Sequence, residues 1–185
     1  NDRINPNDIV IIDSFPLPLC QPVRNHRASI FKGVADIGYN ASKQRWFYGF
    51  KIHMLVTLSD YILNYVVTYA SVHDIKIVHD LIGGCQQSVI LADLGYLSHE
   101  LKADLAKEGY RLWTPLRQNM DGVKEHNHWQ LMAMRRTIET RFSELVRLFD
   151  IELTLARGLT GLELRIEQIL LAHNLQYFEI NQHHG

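Results

Sequence analysis

The run Asp8-Ile9-Val10-Ile11-Ile12-Asp13 decides how the chain is read: four consecutive β-branched apolar residues closed by a carboxylate. A short continuous run of this kind predicts a buried strand. Ser14, Pro16 and Pro18 follow, and because proline cannot donate to a ladder the strand is expected to stop at Asp13. A second run, Ser88-Val89-Ile90-Leu91-Ala92, has the same character, and it too meets a carboxylate, Asp93, before a turn at Gly95.

The other elements fall around these two strands. Residues 19 to 45 hold Gly33, Gly38 and many polar side chains without periodicity, and are expected to form a long loop. Trp46 to Leu58 and Ile62 to Tyr69, joined at Ser59-Asp60, predict an antiparallel hairpin with Lys51 and His53 on one face. Ile75, Val78 and Ile82 predict a helix over 74–81 stopped by Gly83-Gly84. A further helix is expected from an N-cap at Ser98 to Lys107, with Gly109 as its stop. Tyr110 to Thr114 predicts a last strand, closed by Pro115. From His128 to Phe149 the apolar residues Leu131, Met134, Ile138, Phe142, Leu145 and Phe149 recur at steps of three or four, giving a helix with one buried stripe. A final helix is expected over 162–177. With no internal repeat and no linker, the order predicts one α/β domain over 1–185.

Composition excludes several classes. At 185 residues and 46% hydrophobic content the chain suits one soluble core. No apolar stretch approaches the roughly 18 residues that cross a bilayer, and no export signal is visible, so a cytoplasmic location without membrane contact is expected. Cys20 and Cys85 stand apart from any C-x-x-C pair, and the ten histidines lack metal-ligand spacing. The net charge is −1, but it is unevenly spread. Between Cys20 and Leu55 six basic residues face one acid, between Val56 and Tyr110 three lysines face seven acids, and between Arg111 and Arg147 seven basic residues face four acids. Two basic blocks bracketing an acidic middle suit either ordinary solvated faces or a local polyanion-binding surface.

Two strands ending in Asp13 and Asp93, with Glu139 on a long late helix, form a constellation with chemical meaning. The carboxyl ends of neighbouring strands in an open sheet are where ligands gather. Three carboxylates crowded together repel, each pair about 4 Å apart by roughly 4 kcal/mol at an effective dielectric near 20. A divalent cation removes that cost, and oxygen ligands select a hard ion such as Mg²⁺ or Mn²⁺. Taken singly, Asp13 and Asp93 also suit turn-forming acids, and Glu139 a surface acid paired with Arg135 four residues earlier.

The blocks Asp13-Ser14-Phe15-Pro16-Leu17-Pro18, Tyr48-Gly49-Phe50-Lys51-Ile52-His53, Ala92-Asp93-Leu94-Gly95-Tyr96 and Arg135-Arg136-Thr137-Ile138-Glu139-Thr140-Arg141-Phe142 occur in that order. Together they resemble bacterial insertion-sequence transposases of the DDE type, over about Ile9 to Tyr177. The resemblance implies an RNase H-like mixed sheet of about five strands flanked by helices. It implies Asp13, Asp93 and Glu139 as catalytic acids and as ligands of two Mg²⁺ or Mn²⁺ ions. The implied reaction is hydrolysis at transposon ends followed by strand transfer into target DNA, with double-stranded DNA as partner and a homodimer in the full-length protein. Arg135 corresponds to the arginine of a helix signature of tyrosine, arginine, glutamate and lysine, whose tyrosine and lysine positions here hold Met132 and Val146. Lys51 and His53 are expected near the scissile phosphate, and Arg24, Arg27, Lys43 and Arg45 at other phosphates. Such transposases usually carry a DNA-binding region before the first catalytic Asp, where only twelve residues stand here, so a chain lacking that region is expected. The competing reading is a transposase-derived DNA-binding module without catalysis.

Overall fold

The structure, a computed structural model, describes residues 5–21, 24, 31–40, 43–153 and 155–182. Its strands are β1 (Ile9–Cys20), β2 (Asp36–Asn40), β3 (Arg45–Thr57), β4 (Ile62–Tyr69), β5 (Val89–Leu91) and β6 (Arg111–Trp113). Its helices are α1 (Val78–Ile82), α2 (His99–Lys107), α3 (Val123–His126), α4 (Trp129–Phe149) and α5 (Leu159–Gln182). The sheet runs β2-β3-β1-β5-β6, with β4 also paired to β3. This mixed sheet with its helices is RNase H-like, as expected. No helix among the described residues is long and apolar enough to cross a membrane.

The chain divides into two compact units, Asn1–Asp13 with Met54–Tyr65 and Asp74–Arg141, and Ser14–His53 with Val66–His73 and Phe142–Gly185. In the first unit β1 and β5 are parallel, Ile9 level with Val89, Val10 with Ile90 and Ile11 with Leu91. Both runs are 0–1% exposed, so two continuous apolar stretches have become strands covered on both faces. Asp8 fixes their start by accepting hydrogen bonds from the Ser88 amide at 2.7 Å and the Ser88 hydroxyl at 2.5 Å. The expected Ser98 cap is in place, its hydroxyl oxygen accepting from the Leu101 amide at 3.2 Å. That cap starts α2, which buries Leu101 and Leu105 and ends before Gly109 in the left-handed region at φ +90°.

In the second unit β1 does not stop at Asp13 but continues through Pro16 and Pro18 to Cys20. Phe15 and Leu17 are buried while the prolines between them are half-covered. The carbonyl of Leu17 and the amide of Leu19 lie close to Gly49 of β3, and alternate residues of a strand turn their backbone groups to opposite edges. Pro16 and Pro18 therefore turn their missing N–H groups away from β3, where a proline costs no ladder bond. The expected long loop over 19–45 likewise gives up five residues to β2, an edge strand paired antiparallel to β3 from Asp36↔Gly49 to Asn40↔Arg45. That sixth strand is missed because Gly38 breaks the apolar pattern; a Cβ there would collide with Ala70. The predicted helix over 74–81 begins as a 3₁₀ turn at Asp74–Ile77, and α5 exceeds its expected bounds at both ends.

Candidate active site

Asp13 and Asp93 each lie two residues beyond the last matched pair, Ile11 and Leu91, so the same register places them level on neighbouring parallel strands. Side chains two apart share a face, and both acids leave the face that Ile11 and Leu91 bury. Asp93 keeps an extended backbone, φ −84° and ψ 176°, and Ala92 before it still donates to the Trp113 carbonyl at 2.9 Å. The strand geometry thus persists to the carboxylate. Asp93 then caps the 3₁₀ turn Leu94–Tyr96, its side chain accepting the Gly95 amide.

Glu139 arrives from α4, one turn beyond Arg135. The Arg135 guanidinium stands between two of the acids, with Nη2 2.8 Å from Glu139 Oε1 and Nη1 3.5 Å from Asp13 Oδ2. The side chains of Arg135 and Asp13 are 12% and 16% exposed, whereas that of Glu139 is 59% exposed. Ile138, fully buried, anchors this turn of α4 and so sets where Arg135 and Glu139 emerge. Sequence reasoning paired Arg135 with Glu139 but not with Asp13, a contact no spacing rule carries.

A fourth acid joins the group that sequence reading passed over. Asp74 opens the 3₁₀ turn after β4, and a Cβ placed on Gly95 would lie 3.3 Å from Asp74 Oδ2 and 3.5 Å from Asp93 Oδ1. Both carboxylates therefore close on one point above Gly95. The available signal was that β4, like the runs before Asp13 and Asp93, leads into a carboxylate.

The donors in this region are carboxylate oxygens, the set that suits a hard divalent ion. Among the described residues no three Asp, Glu, His or Cys side chains are gathered ready to hold one ion. Two observations fit the ion nevertheless: two aspartates level on adjacent strands, and a guanidinium standing as a cation between Asp13 and Glu139. Asp13 and Asp93 fit it as they stand, and Glu139 fits it on releasing Arg135.

The cations expected at DNA phosphates belong, apart from Arg135, to the other unit. Arg24 and Arg45 are exposed, and exposed Lys43 stands 3.4 Å from Glu152. Lys51 is half-buried and donates to the Val72 carbonyl at 2.9 Å. His53 is fully buried, its Nε2 2.9 Å from the Thr68 hydroxyl, which leaves no ring atom to meet a phosphate. The expectation of an exposed Lys–His pair treated β3 as an edge; it lies inside the sheet. Arg27 lies outside the described residues.

A family model described as a transposase DDE domain matches residues 3–159. No curated protein matches the chain. Among solved structures the chain is similar to the cryo-EM structure of the piggyBac transposase synaptic complex with hairpin DNA, at 21% identity and a TM-score of 0.40. That likeness covers 65% of this chain but 25% of that one, so the chain spans about a quarter of its length.

Proposed function

The chain belongs to the DDE transposase domain family, and from that premise we propose that it is a catalytic core for metal-dependent phosphodiester hydrolysis and strand transfer at transposon ends. Asp13 and Asp93 hold Mg²⁺ or Mn²⁺, and Glu139 completes the set. Two such ions, when bound, would activate the attacking oxygen and stabilise the departing one in an in-line displacement. The observation that carries this reading is the shared register of β1 and β5, which brings two distant aspartates level at the ends of adjacent strands. Arg135 supplies the balancing charge until the ions are held, then turns to a DNA phosphate. Arg24, Arg27, Lys43, Arg45 and Lys51 add phosphate contacts that fix the duplex without reading its sequence, and His53 packs behind them. The substrate is double-stranded DNA, and the working form of the full-length protein is a homodimer.

The test is nicking and end joining of labelled terminal DNA with Mn²⁺ or Mg²⁺. Activity is expected with either ion and lost in Asp13→Asn, Asp93→Asn and Glu139→Gln. Undiminished activity in EDTA would refute the reading. The alternative, a DNA-binding module that no longer cuts, is favoured by the three acids not standing in one cluster among the described residues. It predicts salt-sensitive DNA binding with no nicking under any metal.

A further inference from the structure

The hairpin of β2 and β3 carries a feature that phosphoryl-transfer chemistry does not use. Tyr39 and Trp46 are cross-strand partners, so their rings share one face of the sheet. The ring centroids are 5.2 Å apart and the planes tilted by 57°, yet the residues are 49% and 60% exposed. A contacting aromatic pair of this size ordinarily sits in a core or an interface. Ile37, two residues before Tyr39 on the same face, is also 40% exposed. β2 is the edge strand of the sheet, so the pair stands at its rim, open to an incoming ligand.

Charge selects the ligand. Arg45, next to Trp46, and Lys43 in the turn are both exposed. Asp36 is the single acid from residue 36 to residue 53, and it is engaged by the amide and hydroxyl of Ser71. An aromatic platform beside cations with the local acid tied down matches the combination that binds unpaired nucleotides: a π-face for the base, positive charge for its phosphates. We infer that the Tyr39–Trp46 pair is a stacking platform for an unpaired base of bound DNA, with Arg45 and Lys43 at the adjoining phosphates. The inference rests on DNA being the substrate, and it adds a preference for strands with exposed bases over flush duplex.

The experiment measures binding of the whole chain by fluorescence anisotropy in EDTA, so that no cleavage enters. The probes are a flush labelled duplex and the same duplex with a short single-stranded extension. Wild type is expected to bind the extended probe more tightly. Trp46→Ala and Tyr39→Ala are each expected to weaken binding to the extended probe by about tenfold while changing flush-duplex affinity little. Trp46→Phe keeps a ring and restores most of the preference, and Arg45→Ala lowers the salt dependence on both probes by about one charge. These positions are exposed, and circular dichroism checks that the variants fold. Equal wild-type affinity for the two probes, or an equal loss on both in Trp46→Ala, overturns the platform while leaving the duplex-binding reading intact. Absence of binding to either probe overturns both. A wild-type dimer that Trp46→Ala converts to monomer in sedimentation assigns the face to a second copy and overturns the platform alone.

Discussion

Replacing Arg135 by Gln removes the one cation that touches both Asp13 and Glu139, and the consequence depends on whether a metal is present. The contact to Glu139 is the shorter, 2.8 Å, but that carboxylate is 59% exposed and solvent screens it, so its share is about 0–1 kcal/mol. The contact to Asp13 is longer, 3.5 Å, but both side chains are largely covered. Taking away one partner there leaves Asp13 beside Asp93 without countercharge, a loss of about 2–3 kcal/mol. For a chain of this length each kcal/mol moves the thermal midpoint by roughly 2–4 °C, so Arg135→Gln is expected to melt about 4–12 °C lower in EDTA. Added Mn²⁺ should supply the missing charge and close most of that gap. Because the variant need not release a guanidinium first, its Mn²⁺ dissociation constant is expected to fall by about tenfold, the equivalent of 1.4 kcal/mol. Differential scanning calorimetry with and without Mn²⁺ and isothermal titration of Mn²⁺ read the two quantities separately. A melting deficit of the same size in EDTA and in Mn²⁺, or a variant that binds Mn²⁺ no more tightly than wild type, would refute the idea that Arg135 stands in for the ion.

Three further outcomes follow from local geometry. Gly95→Ala puts a methyl group against the Asp74 and Asp93 carboxylates, which must shift by a few tenths of an ångström; a loss of about 1 kcal/mol in urea unfolding and weaker Mn²⁺ binding are expected, and unchanged Mn²⁺ affinity would separate Gly95 from the site. Gly49→Ala drives a Cβ into the Leu17 carbonyl, backbone that cannot swing aside, and should cost roughly 3 kcal/mol or more; a near-neutral result in the same assay would contradict the approach of β3 to β1. Asp8 is held below its ordinary value of 3.8 chiefly by the Ser88 hydroxyl and then by the Ser88 amide. A lowered carboxylate contributes fully above the ordinary value and loses its contribution as pH falls through the lowered one. Asp8→Asn should therefore be the less stable protein near neutrality, with the gap closing under acid; melting curves with a constant gap across that range would show that ionisation of Asp8 is not what ties Ser88.

The sequence showed most where one residue type had one physical use. The apolar runs before Asp13 and Asp93 could only be covered strands, Ser98 and Gly109 bracketed α2, and the stripe through Ile138 and Leu145 fixed which side of α4 is covered. It misled where tertiary position changed a residue's meaning. Pro16 and Pro18 look like terminators until their backbone is seen to turn away from β3, and Gly38 looks like loop until Ala70 is found against it. His53, which reads as an exposed base when β3 is taken for an edge, becomes a core residue once strands lie on either side. Asp74 and the Asp13–Arg135 contact join chain segments with no shared periodicity, so local pattern held no trace of them.

The acids differ in how firmly each is held, and that difference orders the events at the site. Asp13 and Asp93 are carried by strands whose neighbours and register are fixed by ladder bonds and by side chains 0–1% exposed around Ile11 and Leu91. Moving either would disturb the core beneath it. Glu139 is mostly solvated and tied by a single guanidinium, so it changes rotamer at small cost. A cation arriving from solvent therefore meets two acids already in place and draws in the third. Its first effect is on Arg135, which loses both carboxylate partners together and is left charged, on a helix, facing the place a DNA phosphate would occupy. Metal loading and phosphate capture would then be linked through one side chain, and Arg135→Lys, which keeps the charge but not the two-pronged fork, should preserve binding to DNA while weakening that linkage. The measurement is the change in DNA affinity on adding Ca²⁺, expected to be large in wild type and small in the lysine variant; equal changes in the two proteins would mean that the guanidinium does not couple them.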